Sequence, residues 1–350
     1  MSSFPKKIFS GYFGKCHCQG IAIDEARGYV YYSFTTLLVK TDLFGNLLGT
    51  VEGLCGHLGC ITYNENDGKV YGSLEFKSDK IGEGILSALG VERKLEDAFY
   101  CAIFDVEKID RVGMSAEGDG VMRCVYLREV LADYSAQNSD GTKHKYACSG
   151  IDGTSFGKIP GDVDGKRYLF VCYGIYGDNE RVDNDYQIIL CYDAEGWWDS
   201  YGKPLIQSDM HKSGPEAPLH KFFLYTGNTT FGVQNLEYDA NTGDFLAAVY
   251  RGKKPDFPNY DLFVIDGSLP PYRSIHTVTG EEISELSLKR CTLGNGKISG
   301  SYFPLGSTGI HSLTDGNFYF SKSGNHEGNN YTELYLYRRC GAADFELVSE

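Results

Sequence analysis

A segment of about fifteen residues that recurs along the chain constrains the fold more than any other feature of the sequence. Residues 17–31 align without a gap with residues 57–71, and a third copy spans residues 232–246. Each copy is an alternating apolar run that ends in Asp or Asn, followed by three loop residues, a glycine and a further run with apolar residues. This pattern predicts two strands joined by a tight turn, in which the glycine adopts a positive φ.

Hairpin repeats with a spacing of about 40 residues are typical of β-propellers. The sequence therefore predicts an all-β fold: a single five-bladed β-propeller of about four-stranded blades with short helical insertions, forming one domain over residues 1–350. The blades are expected at about residues 16–53, 57–135, 148–226, 231–290 and 306–350. Residues 7–12 are expected to add a strand to the fifth blade and so close the ring, because closure removes exposed strand edges. A two-sheet sandwich is the alternative, which the gapless repeat disfavours.

Three segments outside the repeats carry further predictions. Apolar residues at roughly helical spacing predict a surface helix within residues 78–97, namely Ile81, Ile85, Leu86, Leu89 and Leu95. Residues 128–135 are expected to form a second short helix. Residues 283–289 are expected to form the fourth strand of the fourth blade.

Charge and cysteine content exclude several classes of partner. The formal net charge of −14 disfavours binding to nucleic acid or to an anionic membrane surface. The eleven cysteines are scattered, with no Cys-x-x-Cys pair. No apolar run is long enough for a signal peptide or a membrane span. Free cysteines without an export signal predict a cytoplasmic protein.

Propeller geometry predicts where a binding site would lie. The first strand of each blade lines the central channel, so the beginnings of the inner strands and the ends of the second strands are expected to meet at one mouth. The imidazole and amide groups predicted at this mouth could ligate a divalent metal such as Mn, Zn, Fe or Ca. The predicted metal ligands are His17, His57, Gln234 and His311. The alternative is that these groups hydrogen-bond to one another and to channel water.

Charged, hydroxyl and amide side chains around the same mouth suit an anionic or hydroxylated small molecule, because Arg binds carboxylates bidentately and Tyr combines an apolar face with a polar tip. The predicted substrate-binding residues are Gln19, Lys77, Asp152, Arg181, Arg251 and Lys322. Glu75 is the candidate general base, with Tyr173 and Tyr250 as candidate acids. For Glu75 the alternative is a surface ion pair with Lys77.

The hairpin repeats resemble those of β-propellers in general, and a five-bladed ring resembles arabinanase-type glycosidases and tachylectin-like lectins. The set of three histidines and Gln234 is similar in kind to the three-His, one-Gln metal centre of oligogalacturonate lyases. Of the carboxylate trio of arabinanase-type enzymes, only Asp152 and Glu75 are suitably placed. The resemblance implies a carbohydrate ligand and matches no specific catalytic motif.

These observations lead to one functional hypothesis and two alternatives. The hypothesis is a metal-assisted lyase or hydrolase that acts on a small carbohydrate or sugar acid at the channel mouth, where the metal polarises a carbonyl or activates water. The alternatives are a non-catalytic, lectin-like sugar-binding propeller and a scaffold for protein interactions.

Overall fold

The computed structural model describes residues 4–14, 16–94, 96–291 and 298–349 of the chain. In these residues the strands form five sheets arranged as the blades of a ring, which confirms the predicted five-bladed β-propeller. All eleven cysteines have free thiols.

The first two blades are four-stranded meanders, as the repeat predicts. The strands of the first blade are β2 (Gly20–Asp24), β3 (Tyr29–Phe34), β4 (Leu37–Asp42) and β5 (Leu47–Glu52). Those of the second blade are β6 (His57–Asn64), β7 (Lys69–Phe76), β8 (Ala98–Phe104) and β10 (Met122–Tyr126). The turn glycines Gly28 and Gly68 have φ angles of 70° and 68°, a region that side chains disfavour. The two hairpins of the repeat are therefore equivalent.

The third and fourth blades differ in size. The meander of the third blade consists of β11 (Ile151–Gly157), β12 (Tyr168–Tyr173), β13 (Tyr186–Tyr192) and β14 (His220–Tyr225). The fourth blade has three strands, β15 (Val233–Tyr238), β16 (Phe245–Val249) and β17 (Leu262–Ile265).

The fifth blade is completed by both ends of the chain. Its meander consists of β20 (Ile310–Ser312), β21 (Asn317–His326), β22 (Asn329–Arg339) and β23 (Phe345–Leu347). The first strand of the chain, β1 (Lys7–Phe9), pairs antiparallel with β22. This pairing confirms the predicted closure of the ring by the residues before the first blade.

The inner strands β2, β6, β11, β15 and β20 contact one another in a closed cycle and line the channel. Between each pair of neighbouring blades the described residues form a separate hydrophobic cluster, because successive side chains of a strand face opposite sides of its sheet. In β3, for example, Tyr31 packs toward the second blade and Tyr32 toward the fifth.

Several segments return to the outer edge of the preceding blade. The short strand β9 (Met114–Ser115), which precedes β10, pairs in parallel with β5 of the first blade. Lys203, which precedes β14, exchanges backbone hydrogen bonds of 2.9 and 3.2 Å with Cys124 of β10.

The segment after β17 follows the same pattern. It forms β18 (Tyr272–Ile275) and β19 (Glu282–Leu286), and β19 pairs in parallel with β14 of the third blade. The prediction of a fourth strand of the fourth blade at residues 283–289 is therefore wrong for most of its length, and only Leu288 bridges to Ile265 of β17. The strand β19 covers the mostly apolar outer edge of β14, whose backbone N–H and C=O groups would otherwise lack strand partners.

Three α-helices occur in the described residues, at α1 (Lys80–Leu89), α2 (Arg128–Ser135) and α3 (Trp197–Ser200). Single 3₁₀ turns lie at Val106–Lys108, Lys145–Ala147 and Gly306–Thr308. The first two α-helices are the predicted insertions, although Leu95 lies outside the described residues. Asp79 caps α1 by accepting hydrogen bonds of 3.0 Å from the backbone N–H groups of Ile81 and Gly82. None of the described helices is long and apolar enough to cross a membrane.

Candidate functional site

A cavity of about 310 Å³ opens at the end of the channel where the inner strands begin. It is the mouth that propeller geometry predicts, and eight of the predicted site residues line it. These residues are His17, Gln19, His57, Glu75, Lys77, Asp152, Gln234 and Tyr250. Four blades contribute to this set, so the ring itself brings together side chains that are distant in sequence.

Glu75 and Lys77 form an ion pair in the wall of the cavity, with 2.7 Å between Glu75 Oε1 and Lys77 Nζ. Their side chains are only 4% and 3% exposed, so the pair is buried, unlike the surface pair that the sequence left open. Glu75 Oε2 accepts a hydrogen bond of 2.8 Å from Ile151 N. Burial alone would lower the pKa of Lys77, but the Glu75 carboxylate raises it above its ordinary value. Burial raises the pKa of Glu75, and the Lys77 ammonium group and the Ile151 N–H oppose this shift by favouring the carboxylate.

Asp152 is the second carboxyl group of the cavity. Its Oδ1 lies 3.7 Å from His57 Nδ1, and Glu75 Oε1 lies 4.0 Å from the same nitrogen. Burial and the Glu75 carboxylate raise the pKa of Asp152 well above its ordinary value, and the charge of Lys77 and a hydrogen bond with Gln234 only partly oppose them. Because Glu75 has both Lys77 and a backbone N–H as partners, we assign the charge to Glu75 and the proton to Asp152.

The two imidazoles of the cavity are neutral. Burial lowers the pKa of His57 to about 3, and the charge of Lys77 acts in the same direction. His17 lies at the rim with part of its ring in solvent, and the loss of water around the rest of the ring lowers its pKa. His17 Nε2 lies 3.1 Å from Gln19 Nε2 and 3.4 Å from the Tyr250 hydroxyl. These two polar groups therefore fix the orientation of the His17 ring.

Two glycines allow the carboxyl groups to approach the backbone closely. A Cβ atom at Gly150 would lie 2.5 Å from Glu75 Oε2 and 2.9 Å from Lys77 Nζ. A Cβ atom at Gly59 would lie 2.4 Å from Asp152 Oδ1. Real Cβ atoms essentially never approach another heavy atom this closely, so glycine at these positions makes room for the two acids.

One wall of the cavity was not predicted from the sequence. It is formed by α1, through Ile81, Gly84, Ile85 and Ala88. The helix was expected on the surface, and only its placement over the channel mouth makes these residues part of the site. Gly84 and Ala88 are exposed small residues one turn apart, and this spacing was the available signal of a face that leaves room for a ligand.

An aromatic side chain at the rim was also missed. Tyr176 lines the cavity and is 47% exposed. Its ring contacts Phe231 edge to face at 5.4 Å, and Phe231 contacts Tyr250 in the same manner at 5.6 Å. An exposed ring supported in this way offers an apolar face to a sugar ring.

Tyr173, one of the predicted catalytic acids, lies away from the cavity. It is fully buried at the end of β12, and its hydroxyl donates a hydrogen bond to the carboxylate of Asp133 on α2. Lys221 Nζ contacts the same carboxylate at 2.5 Å. Tyr173 is therefore part of a structural network between α2 and the third blade.

Three of the predicted cations also lie outside the cavity lining. Arg181 is held by Asp183 and by the backbone carbonyl groups of Lys143 and His144. Arg251 is exposed, with its guanidinium 4.1 Å from the centre of the Tyr302 ring. Lys322 is exposed on β21 of the fifth blade. Of the four predicted cations, Lys77 alone lines the cavity, and it is already paired with Glu75.

His311 lies at the opposite end of the channel, in a separate cavity of about 70 Å³. Its Nδ1 lies 3.5 Å from Glu237 Oε1. Burial lowers the pKa of His311 to about 4 and raises the pKa of Glu237 to about 8. The structure therefore does not bring His311 together with His17 and His57.

The donor groups at the main cavity fit a metal ion only in part. Without His311, the predicted ligands there are His17, His57 and Gln234. Across residues 4–14, 16–94, 96–291 and 298–349, no three His, Cys, Asp or Glu side chains are arranged to hold a metal ion together. Lys77 already occupies one oxygen of Glu75. The set is better matched to hydrogen bonding with a polar ligand than to a closed metal centre.

Comparisons with known proteins do not place the chain in a family. No family model matches the sequence, and no curated protein matches it. Among solved structures, the chain is similar to the holo form of the PQQ domain of pyranose dehydrogenase from Coprinopsis cinerea. That similarity has 13% sequence identity and a TM-score of 0.35, and covers 90% of this chain and 81% of the other. A similarity at this level does not indicate a function, so the function has to be inferred from the chain's own residues.

Proposed function

We propose that the protein is a carbohydrate-active hydrolase that binds a small neutral sugar derivative at the channel mouth. The observation that carries the proposal is the pair of buried carboxyl groups with different partners: Glu75 is paired with Lys77 and accepts a hydrogen bond from Ile151 N, whereas Asp152 lies beside the neutral His57. Asp152 retains its proton because Glu75 beside it is the carboxylate. A protonated carboxylic acid at neutral pH is what protonation of a glycosidic oxygen requires.

The other lining residues have roles that follow from their chemistry. In the proposed step the proton of Asp152 passes to the leaving-group oxygen as the bond from that oxygen to the sugar carbon breaks. Water adds to the carbon, and His17 accepts a proton from the water, because its imidazole is neutral and lies at the rim. Gln19 and Gln234 supply amide groups for sugar hydroxyls, and Tyr176 supplies a stacking face.

A neutral ligand is favoured over a sugar acid. Of the cations that the sequence predicted around the mouth, Lys77 lines the cavity, and Glu75 neutralises it at 2.7 Å. Lys80 on α1 also lines the cavity, but its side chain is exposed, so solvent and salt screen its charge. A ligand carboxylate would lie near the Glu75 carboxylate, and the described lining residues offer it no buried cation that is not already paired, which costs electrostatic energy in a partly buried site.

Ligand binding provides the first test. We expect wild-type protein to bind and cleave members of a panel of methyl and 4-nitrophenyl glycosides, with neutral sugars preferred over uronic acids. Gln234→Ala is expected to weaken binding roughly 2- to 10-fold, the range that corresponds to the loss of one net hydrogen bond. Gln137→Ala, at an exposed glutamine distant from the cavity lining, is the control. A preference for uronic acids, or equal effects of both substitutions, would contradict the assignment.

A divalent cation at the same mouth is a second candidate, favoured by one observation. His57 Nδ1 is buried and lacks a hydrogen-bond partner in the described residues, so its lone pair is available to a cation. A Mn²⁺ or Zn²⁺ ion bound there would polarise a substrate oxygen. If so, His57→Ala should abolish stoichiometric uptake of added Mn²⁺ or Zn²⁺ in calorimetry while His311→Ala leaves it intact. Uptake that survives in both variants, or no uptake by wild-type protein, would exclude this candidate.

A further inference from the structure

A second cavity of about 330 Å³ adjoins the channel-mouth site. Its apolar lining residues include Phe13, Leu37 and Leu89, and Gly14, Gly53, Thr36 and the exposed Glu52 complete this part of the wall. Leu89 is 40% exposed, so part of its side chain is accessible from the second cavity. The second cavity is thus more apolar in character than the mouth, where two carboxyl groups, a lysine and two imidazoles converge.

The two cavities are adjacent and share part of their lining. Cys16 and Ala88 line both of them, so the second cavity begins where the α1 wall of the first cavity ends. Each cavity alone is at the lower end of the range of about 300–1,000 Å³ that is typical of ligand sites, whereas the joined space lies well within that range. A ligand that filled both would have a polar part at the channel and an apolar part beside the last turn of α1.

The walls of this passage are rigid. The helix α1 is capped at both ends, by Asp79 and by Gly90, and it buries Ile85 and Leu86 in the core. On the other side, Phe13 packs against Phe34 with 5.0 Å between ring centres. A preformed apolar channel of this kind binds an apolar chain without the entropic cost of ordering its walls.

We propose that the ligand is an amphipathic glycoside, an inference that rests on the proposed function. Its sugar occupies the mouth near Asp152, and its alkyl or aryl aglycone passes between Cys16 and Ala88 into the second cavity. The alkyl or aryl aglycone is therefore the leaving group of the proposed hydrolysis. This defines the substrate class as alkyl or aryl glycosides rather than free oligosaccharides of purely polar surface.

Methyl, butyl and hexyl β-D-glucopyranosides and β-D-galactopyranosides are suitable probes. Affinity measured by calorimetry is expected to rise about fourfold for each methylene that enters the second cavity. Leu89→Asn is expected to reduce that dependence on chain length while the methyl glycosides bind as they do to wild type. Leu269→Asn, at a leucine of similar exposure away from both cavities, is the matched control.

Cys16 gives a direct readout of the passage, since its free thiol lies at the junction of the two cavities. At a concentration about ten times its Kd, a hexyl glycoside is expected to slow maleimide modification of Cys16 about tenfold, because only the free protein reacts. The exposed Cys340 in the same molecule serves as an internal control whose rate stays unchanged. Modification is measured for each cysteine by peptide mass spectrometry.

The outcomes separate this inference from the proposed function. If affinity is independent of alkyl length, or Cys16 is not protected by the hexyl glycosides although the methyl glycosides bind, the amphipathic ligand is excluded and the sugar site stands. If 1-hexanol protects Cys16 while no methyl glycoside binds, the apolar cavity stands and the sugar site is rejected. Absence of protection and of binding with every probe overturns both.

Discussion

Asp152→Asn is expected to lower the turnover number about 10²- to 10⁴-fold for substrates with a poor leaving group, the range that general acid catalysis contributes. Asparagine has nearly the same shape as aspartic acid but cannot deliver the acidic proton. A 2,4-dinitrophenyl glycoside needs little protonation of its leaving group, so its turnover should fall far less than that of an alkyl glycoside. Steady-state kinetics on the two substrates measures this difference.

Asp110→Asn is the matched control, because that carboxyl group is 74% exposed at the surface. An equal loss for good and poor leaving groups in Asp152→Asn would show that Asp152 does not act as the acid. Binding of sugars without turnover by the wild-type protein would instead support the lectin-like alternative.

The pH profiles should change in a defined direction in the same variant. The folded-state pKa of Asp152 is raised well above its ordinary value, so the proposed acid keeps its proton to higher pH than an exposed aspartate, and activity is expected to be lost as pH rises through that pKa. Asp152→Asn should remove this alkaline limb from the residual activity. Because the folded state holds a proton that the unfolded state releases above about pH 4, wild-type stability also falls as pH rises from there through the raised pKa. That contribution should disappear in the variant.

Ile8→Ala is expected to lower the free energy of unfolding by about 2–5 kcal/mol, the usual effect of emptying a buried isoleucine site. Ile8 lies in the middle of β1, is 2% exposed and packs in the cluster between the fifth and first blades. Its side chain therefore stabilises the interface between the fifth and first blades, where the two ends of the chain meet. Equilibrium denaturation with urea measures the loss.

Lys7→Ala in the same strand is the control. Lys7 pairs with Glu333 at 2.5 Å, but its side chain is 49% exposed, and exposed ion pairs contribute about 0–1 kcal/mol. If the two variants are equally stable, β1 does not carry the closure of the ring.

The blade repeat could be predicted from the sequence because a hairpin and its turn are local features. His17 lies eleven residues before the turn glycine Gly28, and His57 lies eleven before Gly68. Equal distances from the turn place both residues at the same end of the channel, since each strand residue advances about 3.3 Å. The prediction that they share one mouth needed no knowledge of tertiary packing.

His311 was misplaced for the same geometric reason. It lies only five residues before its turn glycine, Gly316, and pairs with Tyr319 close to the turn. A short inner strand, Ile310–Ser312, therefore carries it to the far end of the channel. Counting from the turn rather than from the start of the alternating run would have separated it from His17 and His57.

The position of α1 over the channel mouth, by contrast, could not be inferred from the local pattern. Its helical spacing and caps are visible in the sequence, but the direction in which the insertion leaves the second blade is fixed by the burial of Ile85 and Leu86. The opposite face, with Gly84 and Ala88, lies over the channel mouth as a result. A helix on the surface and a helix that lines a cavity can have the same sequence pattern and differ only in their tertiary contacts.

The segments that return to the preceding blade have a consequence for how this chain could be altered. In a solenoid, a repeat can be deleted or duplicated because it contacts its neighbours only through packed faces. Here β9, from the segment that forms the second blade, pairs with the outer strand of the first blade. Lys203, from the segment that forms the third blade, bridges to the outer strand of the second. The strand β19, which follows the last strand of the fourth blade, pairs with the outer strand of the third. Excising one blade would remove the outer strand or bridge of another. A deletion or duplication of one blade at any of these three junctions would therefore disrupt a neighbouring blade. The number of blades depends on strand pairing at the outer edges as well as on packing between the blades.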